Sequence, residues 1–505
     1  MRLHPKDNVG LALTEVKKYS NFENTVALVT IPAGHKIALN EIKAGEPILK
    51  YNQTIGFAAQ TILAGDHVHT HNIELRDFER IPVSNLTTNN SANNSVSKNL
   101  HSGETASFKG YLRPNGKVGT RNYVGILSTV NCSATVCQRI ADNFKEDILA
   151  SYPNADGVIA LTHDSGCGMA IEGEGLALLQ RVLNGYAEHP NFPGILIIGL
   201  GCEVNQVSAL LKKFKLKDRH HIRTLVIQEN GGTRKIIENG IKIVQELLEG
   251  LTDLRRENVS AKHLCLGLEC GGSDAYSGIS ANPALGAAAD LVVEHGGSVI
   301  LSETPEIYGA EHLLIQRAVT PEVGNRLTDL IHWWENYVAI YQGSLNNNPS
   351  PGNKAGGIST ILEKSLGAVA KGGTSELVDV IQYAEPIKTK GLVFMDSPGY
   401  DPVSVTGQVA SGANVVCFTT GRGSVFGCKP VPCLKLATNS PMYNRMIEDM
   451  DLNCGEIIDG TMDVQEMGSI IFQKILATAS GELTKSEEFG FGDYEFAPWK
   501  IGAVL

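Results

Sequence analysis

Residues 123–130 read Tyr-Val-Gly-Ile-Leu-Ser-Thr-Val, a continuous run of apolar and β-branched residues that ends two residues before Cys132. Such a run is typical of a strand covered on both faces, because a strand with one exposed face would carry alternating polar residues. Segments with helical apolar spacing separate it from seven further runs of this kind: 157–162, 195–200, 223–228, 264–268, 298–301, 391–395 and 414–418. The alternation predicts a large α/β body with mainly parallel sheets.

The chain on either side of this pattern divides into further units. Residues 1–84 contain regularly spaced glycines and a strand-like run at 25–31, which predicts a small β-rich domain. Residues 85–107 are rich in Asn, Ser and Thr and predict a flexible linker. A polar stretch at 254–258 predicts that the body has two α/β subdomains, 108–258 and 259–505.

Composition narrows the class of protein. The 505 residues carry a formal net charge of -11, which disfavours attraction to nucleic acid phosphates or to an anionic membrane, although a local cluster of donors can still bind a small acid. The sequence has neither an apolar leader nor a membrane-length apolar run, which predicts a cytoplasmic protein. Its ten cysteines are too few for a disulfide scaffold, so they are candidates for core packing, metal binding or nucleophilic catalysis.

Four of these cysteines follow predicted strands in glycine- or serine-rich settings: Cys132, Cys167, Cys202 and Cys270. The carboxyl ends of parallel strands form the ligand-binding edge of open α/β sheets. Three or four thiolates that converge there would bind iron, either as a single ion or as an iron–sulfur cluster. The alternative is that each thiol only fills space in the core.

Two other segments carry candidate groups. His69 and His71 share one face of a predicted strand, next to His67, and could chelate a metal or transfer protons; an exposed histidine-rich turn is the alternative. The loop 348–357 offers Lys354 and free backbone N–H groups, and Arg422 lies in a second glycine-rich loop. Both loops suit a carboxylate, which requires hydrogen-bond donors and a balancing charge.

These motifs occur together in a known family. The order of the segments resembles the altronate/galactarate dehydratase family over nearly the whole chain, with an N-terminal domain of the SAF type followed by the dehydratase body. The segments that carry the resemblance are 34–36, 69–72, 119–122, 199–203, 269–274, 282–283, 349–354 and 420–423.

The resemblance implies a hydro-lyase that removes water from a sugar acid, altronate rather than galactarate, to give a 2-keto-3-deoxy acid with the help of iron. Iron would be bound by the four thiols, or by the two histidines instead. The implied catalytic groups are His69, His71, Lys36 and Lys354, and the implied substrate ligands are Ser273, Asp274, Asn353, Lys354 and Arg422.

We also expect a homodimer. Two rival functions are a carbohydrate-binding protein with a SAF module, and an oxidoreductase that transfers electrons through an iron–sulfur cluster. Formation of a keto acid from altronate would distinguish the dehydratase from both rivals.

Overall fold

A computed structural model describes residues 1–76, 105–217 and 219–502. The predicted linker lies outside the described residues except for its end, residues 105–107, which lead into the first strand of the body. None of the helices in the described part of the chain combines the length and the hydrophobicity needed to cross a bilayer.

Residues 1–76 form a β-rich unit, here called the N-terminal module, as the sequence predicts. Its eight strands make one two-stranded and two three-stranded antiparallel sheets. The strands are β1 Val9–Leu11, β2 Asn21–Phe22, β3 Thr25–Val26, β4 Lys36–Ala38, β5 Pro47–Lys50, β6 Gln53–Ala58, β7 His67–Val68 and β8 Ile73–Glu74.

The strand predicted at 25–31 was wrong beyond its first two residues. Only β3 is a strand there, and the chain then turns so that the N–H of Leu28 donates to the carbonyl of Gly65. Leu28 and Val29 are exposed, whereas Ala27 and Ile31 are buried, so this apolar run is only partly covered.

The first half of the body contains a four-stranded parallel sheet in the order β12-β11-β13-β14. A small antiparallel sheet, in the order β10-β9-β15, connects it to the second half. The strands are β9 Ser107–Leu112, β10 Val118–Gly119, β11 Tyr123–Ser128, β12 Gly157–Leu161, β13 Gly194–Gly199, β14 Ile222–Val226 and β15 Glu257–Ser260; the helices are α1 Asn131–Ala141, α2 Glu146–Leu149, α3 Glu174–Ala187, α4 Val207–Phe214 and α5 Thr233–Glu249.

The second half contains a seven-stranded parallel sheet in the order β18-β19-β17-β16-β20-β21-β22. Its strands are β16 Cys265–Cys270, β17 Ser298–Leu301, β18 Leu377–Ile381, β19 Gly391–Met395, β20 Val415–Thr420, β21 Cys433–Ala437 and β22 Leu452–Asn453. Its helices are α6 Ala281–Glu294, α7 Glu311–Ile315, α8 Pro321–Ile340, α9 Pro351–Ala355, α10 Ile361–Ala370, α11 Asp401–Ser411, α12 Ser440–Arg445, α13 Glu456–Asp459, α14 Val464–Ala479 and α15 Lys485–Glu488.

Each of the eight predicted strand-like runs of the body overlaps a parallel strand, which confirms the α/β fold class. The two parallel sheets share one hydrophobic cluster, which includes Ile197 of the first sheet and Val393 of the second. Residues after strands of both sheets also come close to each other, since burial raises the pKa of Asp396 at the end of β19 and the charge of Glu174, at the start of α3 after β12, raises it further.

Candidate active site

A cavity of about 470 Å³ lies at the carboxyl edge of the seven-stranded sheet. This volume falls in the range of roughly 300–1,000 Å³ that is typical of small-ligand sites. The polar side chains that line it include Cys270, Glu306, Asn348, Lys364 and Asp401. The position agrees with the general rule that open α/β sheets bind ligands beyond the carboxyl ends of their strands.

Three neighbouring strands deliver groups to this cavity. Cys270 is the last residue of β16, Glu306 follows β17, and Asp401 opens α11 after β19. Asp401 in the first turn of a helix is favoured by the partial positive charge of the helix N-terminus. The loop after β16 passes so close that a methyl group on Gly271 would come within 2.3 Å of Oδ2 of Asp401, so glycine is needed there.

Helix α10 supplies the positive charges. Nζ of Lys364 donates to Oε1 of Glu306 at 2.6 Å and to Oδ1 of Asn348 at 2.5 Å. Lys371 follows the end of α10, seven residues later and so on the same helix face. Its Nζ donates to Sγ of Cys270 at 2.9 Å. Both ammonium groups are nearly inaccessible to solvent.

The acidic groups around the cavity differ in pKa because their electrostatic environments differ. Burial raises the pKa of Asp401 to about 6. Burial alone would also raise the pKa of Glu306, but the neighbouring Lys364 and Lys371 outweigh it and lower that pKa, so Glu306 is ionised. Burial raises the pKa of the Cys270 thiol to about 12 in spite of Lys371, so the thiol keeps its proton near neutral pH. The cavity thus offers a carboxyl group that titrates near neutrality, a fixed anion and a protonated thiol.

Two more carboxyl groups are buried behind the cavity. Burial, followed by the charges of Glu269 and Glu306, raises the pKa of Glu303 well above its usual range. Burial also raises the pKa of Glu269. Two like charges this close resist joint ionisation, so the pair retains a proton.

Two sets of potential metal ligands occur among the described residues, each with ligand atoms within 4.8 Å of one another. The sets are Cys270 with Glu303 and Glu306, and Glu269 with Glu303 and Asp401. In the first set the ammonium groups of Lys364 and Lys371 already contact the ligand atoms. A cation there would have to displace these buried positive charges.

The N-terminal module docks on the same helix through a buried ion triad. Nζ of Lys36 and Nζ of Lys50 lie 2.8 and 2.9 Å from the two carboxylate oxygens of Glu363, the residue before Lys364. Burial would raise the pKa of Glu363, but the two ammonium groups hold it at about 2. Burial lowers the pKa of Lys36 to about 8. The predicted catalytic Lys36 therefore lies in the interface, in contact with Glu363 and the carbonyl of Gly357.

The histidines of the module form a group at this interface. The ring centre of His67 lies 5.1, 5.5 and 5.4 Å from those of His35, His69 and His71. Nδ1 of His69 contacts Oγ of Ser359 in the body at 3.3 Å, whereas His71 is exposed. Burial lowers the pKa of His67 to about 4 and that of His69 to about 3, so both rings are neutral near pH 7.

The four predicted metal-binding thiols do not lie together: three are at the edge of one sheet and the fourth is in the other sheet. All three exposed thiols lie at the carboxyl edge of the four-stranded sheet: Cys132 is in the first turn of α1, and Cys167 and Cys202 are on loops. These loops are held together, since the N–H of Asn131 donates to Ser165 and the N–H of Asn205 to Gly166. Cys270 is buried in the other sheet, and within the described ranges no set of three ligand atoms that lie within 4.8 Å of one another contains Cys132, Cys167 or Cys202. The expectation of one metal shared by all four is corrected accordingly.

The predicted substrate ligands have different surroundings. The Asp274 carboxylate is buried and accepts hydrogen bonds from Ser277, Thr438 and Asn439, which suits it to joining loops. Asn353 lines the cavity, caps its own helix and donates to the carbonyl of Ser273. The assignment of Ser273, Asp274 and Asn353 to the substrate stays a prediction.

The two predicted cationic ligands lie nearer the surface. Arg422 is exposed, and Lys354 is half-buried. Neither is among the residues that line the cavity. Their assignment to the substrate stays a prediction.

The sequence did not single out Lys364, Lys371, Glu269 or Asp401. The sequence signal that could have found them is a charged residue inside an otherwise apolar segment, as in Ile361–Ala370. A charged side chain on the buried face of such a helix has no contact with solvent. Such residues are rarely fully buried unless they are paired. Which charges form pairs depends on tertiary contacts between distant segments, and these were not visible in the sequence.

Comparisons with known proteins cover all three parts of the chain. Residues 1–76 match the altronate/galactarate dehydratase SAF domain, residues 110–252 the second domain of D-galactarate dehydratase/altronate hydrolase, and residues 261–504 the C-terminal domain of D-galactarate/altronate dehydratase.

Three relatives align over nearly the full length. Altronate dehydratase of Bacillus subtilis (strain 168) is 36% identical over 100% of this chain and 99% of its own. Galactarate dehydratase (L-threo-forming) of Escherichia coli (strain K12) is 37% identical over 97% of this chain and 94% of its own, and altronate dehydratase of the same organism is 34% identical over 100% and 99%. The chain belongs to the altronate/galactarate dehydratase family.

Proposed function

We propose that this hydro-lyase dehydrates altronate to a 2-keto-3-deoxy acid in the cavity at the edge of the seven-stranded sheet. The observation that carries this proposal is the set of groups around the cavity, which matches what the elimination requires. Loss of a proton next to a carboxylate builds up negative charge and needs a base and a cation, and the departing hydroxide needs a proton donor. Asp401, Lys364 and Cys270 supply these three properties.

The charge of the cavity favours an acid with a single carboxylate. Lys364 is the one cationic side chain among the described residues that line it, and the lining also contains the carboxyl groups of Glu306 and Asp401. A second carboxylate on the substrate would meet these two acids without a second cation. This favours altronate over galactarate, although a galactarate dehydratase is among the relatives.

Each group has a role that follows from its surroundings. Asp401, with a pKa near 6, is the base that removes the proton from C2. The ammonium group of Lys364 holds the substrate carboxylate and stabilises the charge that develops on it. The Cys270 thiol gives its proton to the hydroxyl group leaving C3, and Lys371, 2.9 Å from the sulfur, stabilises the thiolate that forms. The resulting enol takes up a proton at C3, loses the proton of its C2 hydroxyl group, and becomes the 2-keto-3-deoxy acid.

Iron is the cofactor that the family resemblance implies, and we propose Cys132, Cys167 and Cys202 as its ligands. Support comes from their setting: these are the exposed cysteines of the described chain, and all three lie at one sheet edge, although cysteine is among the most often buried residues. Their sulfur atoms do not all lie within 4.8 Å of one another in the described structure, so the exposed segments that carry them would have to draw together around the ion. Thiolates are ligands that iron prefers. Bound iron would supply a Lewis acid.

The iron proposal is tested by metal and sulfide content after anaerobic reconstitution. We expect the combined substitution C132S, C167S and C202S to lose iron, and C265S, a matched control outside this edge, to retain it. Full iron content in the triple variant would overturn this ligand set.

The proposed reaction is tested by anaerobic assays with ferrous iron on altronate, galactarate and mannonate, with chromatographic detection of keto acids. We expect altronate to give the highest kcat/KM. No keto acid from any of the three would overturn the proposal, and preference for galactarate would overturn the choice of substrate. The predicted homodimer is tested by sedimentation, and the predicted cytoplasmic location by cell fractionation.

A further inference from the structure

Three histidines of the N-terminal module meet at its contact with the body. His67 lies on β7 opposite Ile37 of β4, and His35 immediately precedes β4, two residues before Ile37 and on the same face, so His35 and His67 are diagonal neighbours across the two strands. His69 follows β7 directly. The ring centres of His35 lie 5.1 Å from His67 and 4.8 Å from His69, and the remaining pair is 5.5 Å apart.

These separations match a tetrahedral site with three imidazole ligands. A metal–nitrogen bond of about 2.0–2.1 Å places the metal about 3.2 Å from each ring centre, and tetrahedral angles then set the ring centres about 5.2 Å apart. The mutually facing atoms Nδ1 of His35 and Nε2 of His67 are 3.0 Å apart, close to the roughly 3.3 Å expected between two nitrogens on one tetrahedral ion.

The outer nitrogens of two of these rings contact the body. Nε2 of His35 lies 3.4 Å from the carbonyl of Ala355, and Nδ1 of His69 lies 3.3 Å from Oγ of Ser359. Metal-binding histidines usually direct their second ring nitrogen to such a partner, which fixes the tautomer and leaves the inner nitrogen free to bind the ion. Here both partners belong to one short segment, 355–359, that joins α9 to α10.

We propose that His35, His67 and His69 bind one divalent transition-metal ion that fastens the N-terminal module to the body. Imidazole ligands suit Zn²⁺, Fe²⁺, Co²⁺ and Ni²⁺. The nitrogens of the three rings do not all lie within 4.8 Å of one another as the rings stand in the described structure. A rotation of the His69 ring about its Cβ–Cγ bond, which exchanges its contact with Ser359 for the ion, brings its Nε2 to the metal, and solvent provides the fourth ligand. Because the fastened segment leads into the helix that carries Lys364, the ion also orders one wall of the cavity.

This site is independent of the reaction proposed above, and its test needs no substrate. The chelator-treated protein is titrated with Co²⁺, and bound metal and visible absorption are measured. We expect wild-type protein to show d–d bands of tetrahedral cobalt, and C132S/C167S/C202S to retain them while losing any thiolate-to-cobalt charge-transfer band. His67→Ala and the more conservative His69→Gln should each bind one ion fewer and lose the d–d bands.

His4→Ala, on the same module but outside the group, is the matched control and should bind as wild type does. A second measurement addresses variants that fold poorly: Zn²⁺ should raise the Tm of chelator-treated wild-type protein and of His4→Ala, but not of His69→Gln. The proposal is overturned if His67→Ala and His69→Gln bind cobalt with wild-type stoichiometry and spectrum. It is also overturned if the d–d bands disappear in the thiol variant.

Discussion

Replacing Asp401 by Asn should make the protein more stable and nearly inactive. The structure holds the pKa of this carboxyl group at about 6, against 3.8 for a free aspartate, because the group is buried. A carboxyl group with a raised pKa binds its proton more tightly in the folded state. Its ionised form therefore lowers the free energy of unfolding at any pH above about 6, and this penalty disappears as the pH falls towards 4.

The size of the effect follows from the displacement of about two pH units. Each unit corresponds to roughly 1.4 kcal/mol, so the penalty is at most about 3 kcal/mol at pH 8. Asn has nearly the same shape and carries no charge at any pH. We expect Asp401→Asn to gain up to about 3 kcal/mol in free energy of unfolding at pH 8, and to match wild type near pH 4.

Urea unfolding at pH 4, 6 and 8 measures the stability, and keto acid formation measures kcat/KM. Loss of a general base should lower kcat/KM by roughly 10²–10⁴-fold, and the wild-type rate should fall below pH 6 as the base becomes protonated. Wild-type activity in the variant would refute the assigned base. A stability difference that does not change between pH 4 and 8 would refute the electrostatic reasoning.

Three further predictions concern the charges around α10. Glu363→Gln leaves two ammonium groups buried without their anion, which should lower the free energy of unfolding by about 3–5 kcal/mol and release the N-terminal module. The release should appear as faster hydrogen exchange in residues 1–76, and unchanged exchange would argue against the triad. Cys270→Ala removes the hydrogen-bond acceptor of Lys371. In thermal unfolding it should lower the free energy of unfolding by about 1–3 kcal/mol more than the control Cys137→Ala, which removes a buried thiol without a charged partner. Equal losses in the two variants would contradict this prediction. Lys364→Gln should lower kcat/KM for altronate by about 10–100-fold, and an unchanged value would remove it from the substrate.

Much of the fold could be predicted from the sequence, because a buried parallel strand can be recognised from its own run of apolar residues. Runs such as Gly391–Met395 are apolar at every position, and the structure places a strand at the same bounds. β22, with only Leu452 and Asn453, is too short to leave such a mark. The run at 25–31 misled because only Ala27 and Ile31 are buried while Val26, Leu28 and Val29 stay exposed, which the sequence of this segment alone does not reveal.

The candidate site could be predicted only in part, for a similar reason. The rule that strand ends deliver ligands correctly drew attention to Cys270, which the structure places in the cavity wall. It could not separate Cys270 from the other three thiols, since sheet membership depends on long-range pairing. Lys364 and Lys371 lie on or next to a helix, where their neighbours are set by packing against distant segments, such as the turn at 304–307 and strand β6, rather than by nearby sequence.

The most direct test of the account is a crystal structure of Asp401→Asn with altronate, since this variant should bind the substrate without turning it over. We expect the sugar acid in the cavity, with its carboxylate in hydrogen-bonding contact with Lys364 and C2 next to residue 401. Altronate bound at the edge formed by Cys132, Cys167 and Cys202, or beside the histidines of the N-terminal module, with the cavity empty, would contradict the proposed site.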